Sequence, residues 1–377
     1  MTTGEPLFIP ATILVAQHER ERMCDYESNG SGPLMTNERV PFDHLVDVMC
    51  AVLVSHEMER ERAATCATLF ADASRDGVAS HGLNRFPRFI TMIENGSVDV
   101  HARPTRVTAH GGLERWNGQR GPGNLNAREC MARAIDISRA HGLGAVALSN
   151  TNHWMRGGSY GWQAADAGVV AFCWTNTLPN LPPWGSSVPL VGNNPLVIAV
   201  PRSDGHVVLD MAMSQFSYGA ISSYRSRGEQ LPVVGGYGPD DALTTDPAAI
   251  EATGRMLPIG FWKGSGLALL LDMVAALLSG GRATHEIPPV AERECGLSQV
   301  FIAFDAGSVT AGNAPAMVMD DIVDRIVDQL HSGAEAIGEH VRYPGERTLE
   351  TRQQSLAEGV VVDSAIWADV CALRQHP

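Results

Sequence analysis

The run His141-Gly142-Leu143-Gly144-Ala145-Val146-Ala147-Leu148-Ser149 decides how this chain folds. Its core, Gly142 to Ala147, has the GxGxxA spacing of a dinucleotide fingerprint. That fingerprint works only where a strand ends and a helix begins, because the helix N-terminus must face the pyrophosphate. Here the order is reversed. From about Asn126 to His141 apolar residues recur at helical spacing, and Gly142 follows as a helix stop. Gly144–Ser149 is then a short apolar run of strand type. The glycines read as a C-cap and a strand start, and no Rossmann unit is predicted.

Working outward, the strand runs into Asn150-Thr151-Asn152-His153-Trp154-Met155-Arg156-Gly157-Gly158, a loop. A similar run lies upstream: Ala79-Ser80-His81-Gly82-Leu83-Asn84-Arg85-Phe86-Pro87-Arg88-Phe89. Each sets one histidine beside glycine, a small polar residue and arginine. Histidine titrates near neutral pH and suits proton transfer. Arginine's planar fork pairs a carboxylate through two bonds, and glycine admits a ligand close to the backbone. Arg85 is the first candidate for holding an anionic substrate, then Arg88 and Arg156. Ser80 reads equally as a turn cap and Arg88 as the surface partner of an acid. A lone histidine is more often structural than catalytic, but two such runs in one chain favour chemistry.

The flanking pattern is mixed α/β. Helices are predicted over Pro41–His56, with Phe42, Leu45, Val46, Met49 and Leu53 inward, and over Glu59–Ser74, with Ala63, Cys66, Leu69, Phe70 and Ala73 inward. A linker is expected near 94–123. A short helix (Tyr160–Ala167), a strand (Val169–Thr175) and a proline-rich loop (Leu178–Trp184) come next. Leu196–Pro201 and Val207–Met213 flank Ser203-Asp204-Gly205 as a hairpin, so the sheet is at least partly antiparallel. The chain then reads as irregular to Pro258. Leu267–Leu278 reads as a buried core helix, too short to span a membrane. A strand (Gln299–Asp305), an amphipathic helix (Met319, Ile322, Val323, Ile326, Leu330) and a strand and helix over Val360–Leu373 complete it.

Composition narrows the class. The 377 residues allow two or three domains, or one large one. A net charge of -14 argues against nucleic acid and anionic membranes as partners. Seven cysteines with no CxxC pair read as thiols in a reducing cytoplasm. There is no Walker loop, no GxSxG elbow and no HExxH; a metal site is not expected. Gly260-Phe261-Trp262-Lys263-Gly264-Ser265-Gly266 reads either as a tight turn with a solvated lysine or as a cation and bare amides set for a phosphate.

Ser80-His81-Gly82 with Arg85 and Pro87, Asn152-His153, Trp174-Thr175-Asn176, Gly192-Asn193-Asn194-Pro195 and Trp262-Lys263-Gly264 together resemble the malate/L-lactate dehydrogenase family of non-Rossmann oxidoreductases. The resemblance runs from about residue 40 to the C-terminus. It implies nicotinamide-dependent reduction of a 2-oxo acid, with 2,3-diketo-L-gulonate the expected substrate. Malate, lactate, ureidoglycolate or a cyclic imino acid stand as alternatives, as does a silent sugar-acid-binding protein. The implied cofactor is NADH, with NADPH the variant. The implied fold is α/β, with a central mixed, largely antiparallel sheet that binds the dinucleotide and a helical domain. The implied assembly is a cytoplasmic homodimer with its active site near the interface. Trp154, Trp174, Trp184 and Trp262 read as core or dimer contacts, with the interface favoured for at least one of them.

Residue by residue, the family's proton donor falls on His81 and its second active-site histidine on His153. Thr175 and Asn176 fall at a strand end lining the site, the first toward substrate and the second toward cofactor. Dinucleotide contacts fall on His206, Val207, Val208, Leu209, Asp210, Met211 and Ala212, on Trp262 and Lys263, and on Gly345, Glu346 and Arg347. The chain departs from the family in its N-terminal residues, in the side chains after Gly345 and by one inserted residue near Gly205. The division that follows is an extension (1–36), a helical segment (37–112) packing with 265–377, and a sheet domain (113–264).

Overall fold

The computed structural model describes residues 37–309, 316–333 and 341–374. The extension 1–36 and Cys24 lie outside them. β1 (Asn37–Val40) pairs antiparallel with Val360–Asp363, near the other end of the chain. α1 (Phe42–Ser55) and α2 (Arg60–Arg75) follow where the apolar spacing sets them. Leu45, Met49 and Leu53 of α1 and Ala63, Cys66 and Phe70 of α2 are buried together. Two short 3-10 turns lead into α3 (Phe86–Glu94), whose Phe86, Phe89 and Ile90 join the same core.

The expected linker near 94–123 instead holds two strands, β2 (Thr105–His110) and β3 (Leu113–Asn117). Every residue of β2 is exposed. An edge strand with no buried face carries no alternation, so periodicity has nothing to detect. α4 (Gly123–His141) ends at Gly142, which has φ 82° and donates its N–H to the Ser138 carbonyl. β4 (Leu143–Asn152) starts at once, so the glycines are a C-cap and a strand start. The strand runs on through Asn152, three residues past its expected end.

α5 (Gly158–Asp166), β5 (Val170–Thr175) and the hairpin of β6 (Leu196–Val200) and β7 (Val207–Met211) match the pattern. The stretch read as irregular holds α6 (Tyr218–Ser226), β8 (Gly236–Tyr237), β9 (Leu243–Thr244) and α7 (Pro247–Thr253). These elements are too short for periodicity, and side-chain caps from Ser217 and Asp246 start the two helices. Then come α8 (Trp262–Ser279), β10 (Cys295–Phe304), α9 (Ala306–Val309) and α10 (Ala316–Ser332). α11 (Glu346–Glu358), β11 (Val360–Asp363) and α12 (Ser364–Leu373) close the described chain. α11 escaped the sequence reading because its residues are almost all polar and the residue it buries is Ser355.

The architecture is α/β around one mixed sheet of seven strands, ordered β2-β3-β4-β10-β5-β6-β7. All neighbours are antiparallel except β3 and β4. The central strand β10 comes from residues that the sequence division groups with the helical part. α4 and α5 cover one face of the sheet, around Met131, Trp154, Tyr160 and Phe301. α6, α7 and α8 form a second apolar layer with Trp174 and Val300.

Two helices differ from expectation. α8 buries only a stripe that includes Ala268, Leu271 and Ala275, while Leu267, Leu270, Met273, Val274 and Leu277 face outward. A helix apolar all round does not reveal which face the fold covers. By length and composition it is also the one described helix able to cross a membrane, but its inner stripe packs into the sheet layer. On α10, Ile322, Ile326 and Leu330 are exposed and Val327 is buried. The side chain of Met319 lies outside the described residues.

The helical layer and the sheet meet at one buried carboxylate. Asp76, just past α2, accepts from Arg75 Nε at 2.8 Å, Arg156 Nη1 at 2.5 Å and Arg352 Nη2 at 2.7 Å. Burial would raise this carboxyl, but the Arg352 hydrogen bonds, with Arg156 and Arg75, hold it well below the usual carboxylate range. Removing one partner of a buried ion cluster leaves uncompensated charge at a cost of roughly 3–5 kcal/mol. Asp76→Ala is therefore expected to lower the unfolding free energy measured in urea by that amount; a change under about 1 kcal/mol would show the cluster to be superficial.

Candidate active site

Two glycines place the two histidines. His81 ends the 3-10 turn Ala79–His81, and Gly82 follows it. A Cβ on Gly82 would lie 2.7 Å from Ser74 N and 2.8 Å from Phe70 O, so only glycine lets this turn lie against α2. Gly123, the first residue of α4, has no room for a Cβ against the carbonyls of Asn152 and His153. The imidazoles that result stack at 5.8 Å between centroids and 23° between planes. The two histidine runs, distant in sequence, form one site.

The histidines are chemically distinct. Met155 sits at φ 64°, and this left-handed turn returns its N–H to His153 Nδ1 at 3.0 Å. A backbone N–H can only donate, so Nδ1 accepts, and the neutral ring carries its proton on Nε2. Burial, then Arg85, pushes this pKa well below the ordinary value. His81 Nδ1 meets the Ser80 hydroxyl at 3.0 Å, and a hydroxyl can donate or accept. His81 can therefore take up a second proton without losing a bond. Burial brings its pKa down to about 4; Asp210 pulls it up, and Arg85 and Arg156 push it down. Asp210, on β7, is fixed by the Gly158 N–H at 2.7 Å.

The arginines separate too. Arg85 Nη2 lies 3.4 Å from Glu294 Oε2, and Arg88 Nε lies 3.7 Å from Glu292 Oε1. Arg156 is buried against Asp76. Thr175 and Asn176 are buried as well. The Asn176 amide bonds Asp272 Oδ1, the Arg282 carbonyl and the Ser298 N–H, all at 2.8 Å, and so braces α8 against β10. Glu294 had no signal in the sequence. It sits in a charged run that reads as surface, yet it is 2% exposed. The pairing of Cys295 with Asn152 is what brings it to the His153 loop.

The three segments expected to meet a dinucleotide converge on β7. At its start, Val208 N–H donates to the Pro344 carbonyl at 2.8 Å, beside Gly345 at φ 101°. Glu346 accepts from Tyr343 N–H, Arg347 is exposed, and His206 pairs with Asp166 at 3.0 Å. Beyond the end of β7, the Met213 carbonyl accepts from Ile259 N–H at 2.8 Å, which sets the Gly260–Lys263 turn. Trp262 is 66% exposed and Lys263 is exposed. The amides of Lys263, Gly264 and Ser265 bond the carbonyls of Gly260, Ile259 and Phe261. This turn thus offers a cation and an aromatic face, not bare amides. Among the described residues no group of three or more His, Cys, Asp or Glu could hold a metal.

An edge strand with a lysine beyond one end and paired histidines and arginines nearby makes a candidate oxidoreductase site without a Rossmann unit. Residues 40–371 match the malate/L-lactate dehydrogenase family, and the chain belongs to it. The family's enzymes are oxidoreductases acting on CH–OH groups. The chain is similar to the 2,3-diketo-L-gulonate reductase of Citrobacter koseri, 44% identical over 337 residues, which are 89% of this chain and 100% of the relative. Its fold is similar to the sulfolactate dehydrogenase of Methanocaldococcus jannaschii (TM-score 0.82, 26% identity, 90% of this chain and 98% of that one). It is likewise similar to the delta1-piperideine-2-carboxylate reductase of Pseudomonas syringae (TM-score 0.79, 27% identity, 89% and 99%).

The charge pattern sets a sign for titration. A carboxylate favours the imidazolium and a guanidinium disfavours it. In the free protein the His81 ring should titrate far below its ordinary value; Asp210→Asn should move it lower still and Arg85→Gln higher. NMR of the ring protons measures all three, and unchanged titration in both variants would sever these groups from His81.

Proposed function

We propose that this enzyme reduces a 2-oxo acid, 2,3-diketo-L-gulonate foremost, to the 2-hydroxy acid, with NADH as cofactor and His81 as proton donor. The observation that carries the reading is the unlike pair of stacked imidazoles. His153 is held neutral by Met155, so it offers an Nε2–H to the carbonyl oxygen but no labile proton. His81 can load a proton and give it up. Arg85 receives the substrate carboxylate with Arg88 beside it, while Arg156 stays with Asp76.

The nicotinamide, when bound, supplies the hydride. The residues fit such a group: β7 offers an extended edge, Gly345 crosses its start, and Lys263 places a cation beyond its end for the phosphates. In the free protein His81 is neutral at pH 7. The negative charges of substrate and dinucleotide favour its charged form, so the proton is taken up as the ligands assemble. The identity to the reductase of Citrobacter koseri along its whole length supports the substrate. The six described cysteines are free thiols, which suits the cytoplasm.

A second copy of the chain covers α8 in this reading. Its outward stripe includes Leu270 and Leu277, 58% and 80% exposed, and Phe261 meets Trp184 at 4.8 Å between ring centroids at the helix start. So large an apolar face marks a protein interface, and it adjoins the Lys263 end of the cofactor track. Leu270→Glu with Leu277→Glu should yield a folded monomer of reduced activity, read by light scattering, circular dichroism and turnover. An unchanged dimer, or a wild type monomeric at assay concentration, would refute this.

His81→Gln should cut turnover by about 10²–10⁴, the usual weight of a general acid, with NADH affinity unchanged. For the wild type, reductive kcat/KM should fall as pH rises, because the protonated donor is lost. The assay follows nicotinamide absorbance with NADH and NADPH over a panel of 2-oxo acids. Near-normal turnover in His81→Gln, or absence of reduction across the panel, would overturn the reading.

A further inference from the structure

We infer that Glu294 is a positioning residue: it holds the Arg85 guanidinium in place for the carboxylate of the substrate. The inference rests on the reaction proposed above. Glu294 is almost fully buried, immediately before β10. One oxygen faces Arg85 Nη2 at 3.4 Å; the other accepts the Leu178 N–H at 3.3 Å. The carboxylate therefore has one fixed anchor on the 177–194 loop and one on the arginine.

Several features make this a holding contact rather than a competing one. The contact is long and reaches a single terminal nitrogen, which leaves further N–H groups of the guanidinium for a second carboxylate. Arginine binds a carboxylate best through two parallel bonds, which the present geometry does not supply. Arg85 also stands where nearby charge is costly, since it disfavours the charged forms of both His81 and His153. A buried counter-charge behind it keeps the guanidinium in the cleft before substrate arrives. The backbone on which Glu294 rides is firmly set. Asn95 Nδ2 and Ser97 Oγ donate to the Glu292 carbonyl at 2.8 and 3.4 Å, and Cys295 pairs with Asn152. One short segment thus reaches α3 through Glu292–Arg88, Arg85 through Glu294, and the His153 strand through Cys295.

Glu294→Gln removes the charge at nearly constant shape; Glu294→Asp keeps the charge and shortens the reach. With NADH and 2,3-diketo-L-gulonate, Glu294→Gln should raise KM at least tenfold with kcat within about threefold, and NADH affinity by fluorescence should stay the same. Glu294→Asp should recover part of the KM. In an Arg85→Gln background the Glu294→Gln change should add nothing further, because the two act as a unit. A purely structural role would instead move kcat, NADH affinity and melting temperature together, and additivity with Arg85→Gln would overturn the proposal.

Oxalate, a small dicarboxylate, tests the same contact without turnover. It should raise the melting temperature of the wild type and give a smaller or no rise in Glu294→Gln and Arg85→Gln. Equal shifts in all three proteins, or none in the wild type, would overturn the role of Glu294 whatever the reaction. Failure of every 2-oxo acid to be reduced, with the oxalate pattern intact, would overturn only the reaction.

Discussion

The site depends on one buried carboxylate. Asp76 terminates α2, five residues before His81, and two of its arginine partners come from segments distant along the chain. Arg156 belongs to the loop of His153, and Arg352 belongs to α11, the helix that Gly345 opens. The Arg352 guanidinium also lies over the Trp162 ring at 4.4 Å, and Trp162 lies 5.7 Å from the His206 ring. One charge cluster therefore registers the His81 turn, the His153 loop and the start of β7. Its members are desolvated, so none can leave without exposing the others' charge to a poor dielectric. This is how Arg156, a substrate-ligand candidate in the sequence, comes to be anchored to Asp76 through Nη1.

A cluster so close to the histidines also sets their chemistry. Arg156 and Arg85 both act against protonation of His81, and burial acts in the same direction. Asp210 alone among the named influences opposes them. The surroundings of the rings accordingly favour anions and disfavour protonation. In the reaction proposed above, substrate and dinucleotide bring the charge that reverses this, which links ligand binding to proton loading. His153 stands outside that exchange because the Met155 amide fixes its Nδ1. In the proposed reaction the two stacked rings divide the work: His153 orients and polarises, and His81 titrates.

Much of this was legible in the sequence where local rules decide the conformation. Gly142 had to stop a helix, the Ser203-Asp204-Gly205 turn had to close a hairpin, and the two histidine runs carried unusual residue combinations. What stayed hidden was set by partners distant along the chain. β2 has no buried residue, so it left no alternation to read. α11 is mostly polar and enters the fold through Arg352, the half-buried Leu349 and the residue it buries, Ser355. Glu294 lies in a run that any composition rule assigns to solvent, and only the β4–β10 register makes it a buried neighbour of Arg85. Arg156 and Asn176 carried the right chemistry for ligand contacts, but Asp76, Asp272 and Ser298 already engage them.

The same reasoning explains α8. Its sequence is apolar on every side, which for a lone chain implies complete burial. The fold covers only the stripe through Ala268, Leu271 and Ala275. The small alanines let α8 approach the sheet closely, and the leucines and methionine are relegated to the far side. The outer leucines and methionine leave an exposed apolar face of the kind that marks protein interfaces. In the reading proposed above a second copy covers that face, and because the N-terminal turn of α8 carries Trp262 and Lys263, the interface and the proposed cofactor residues meet at one helix.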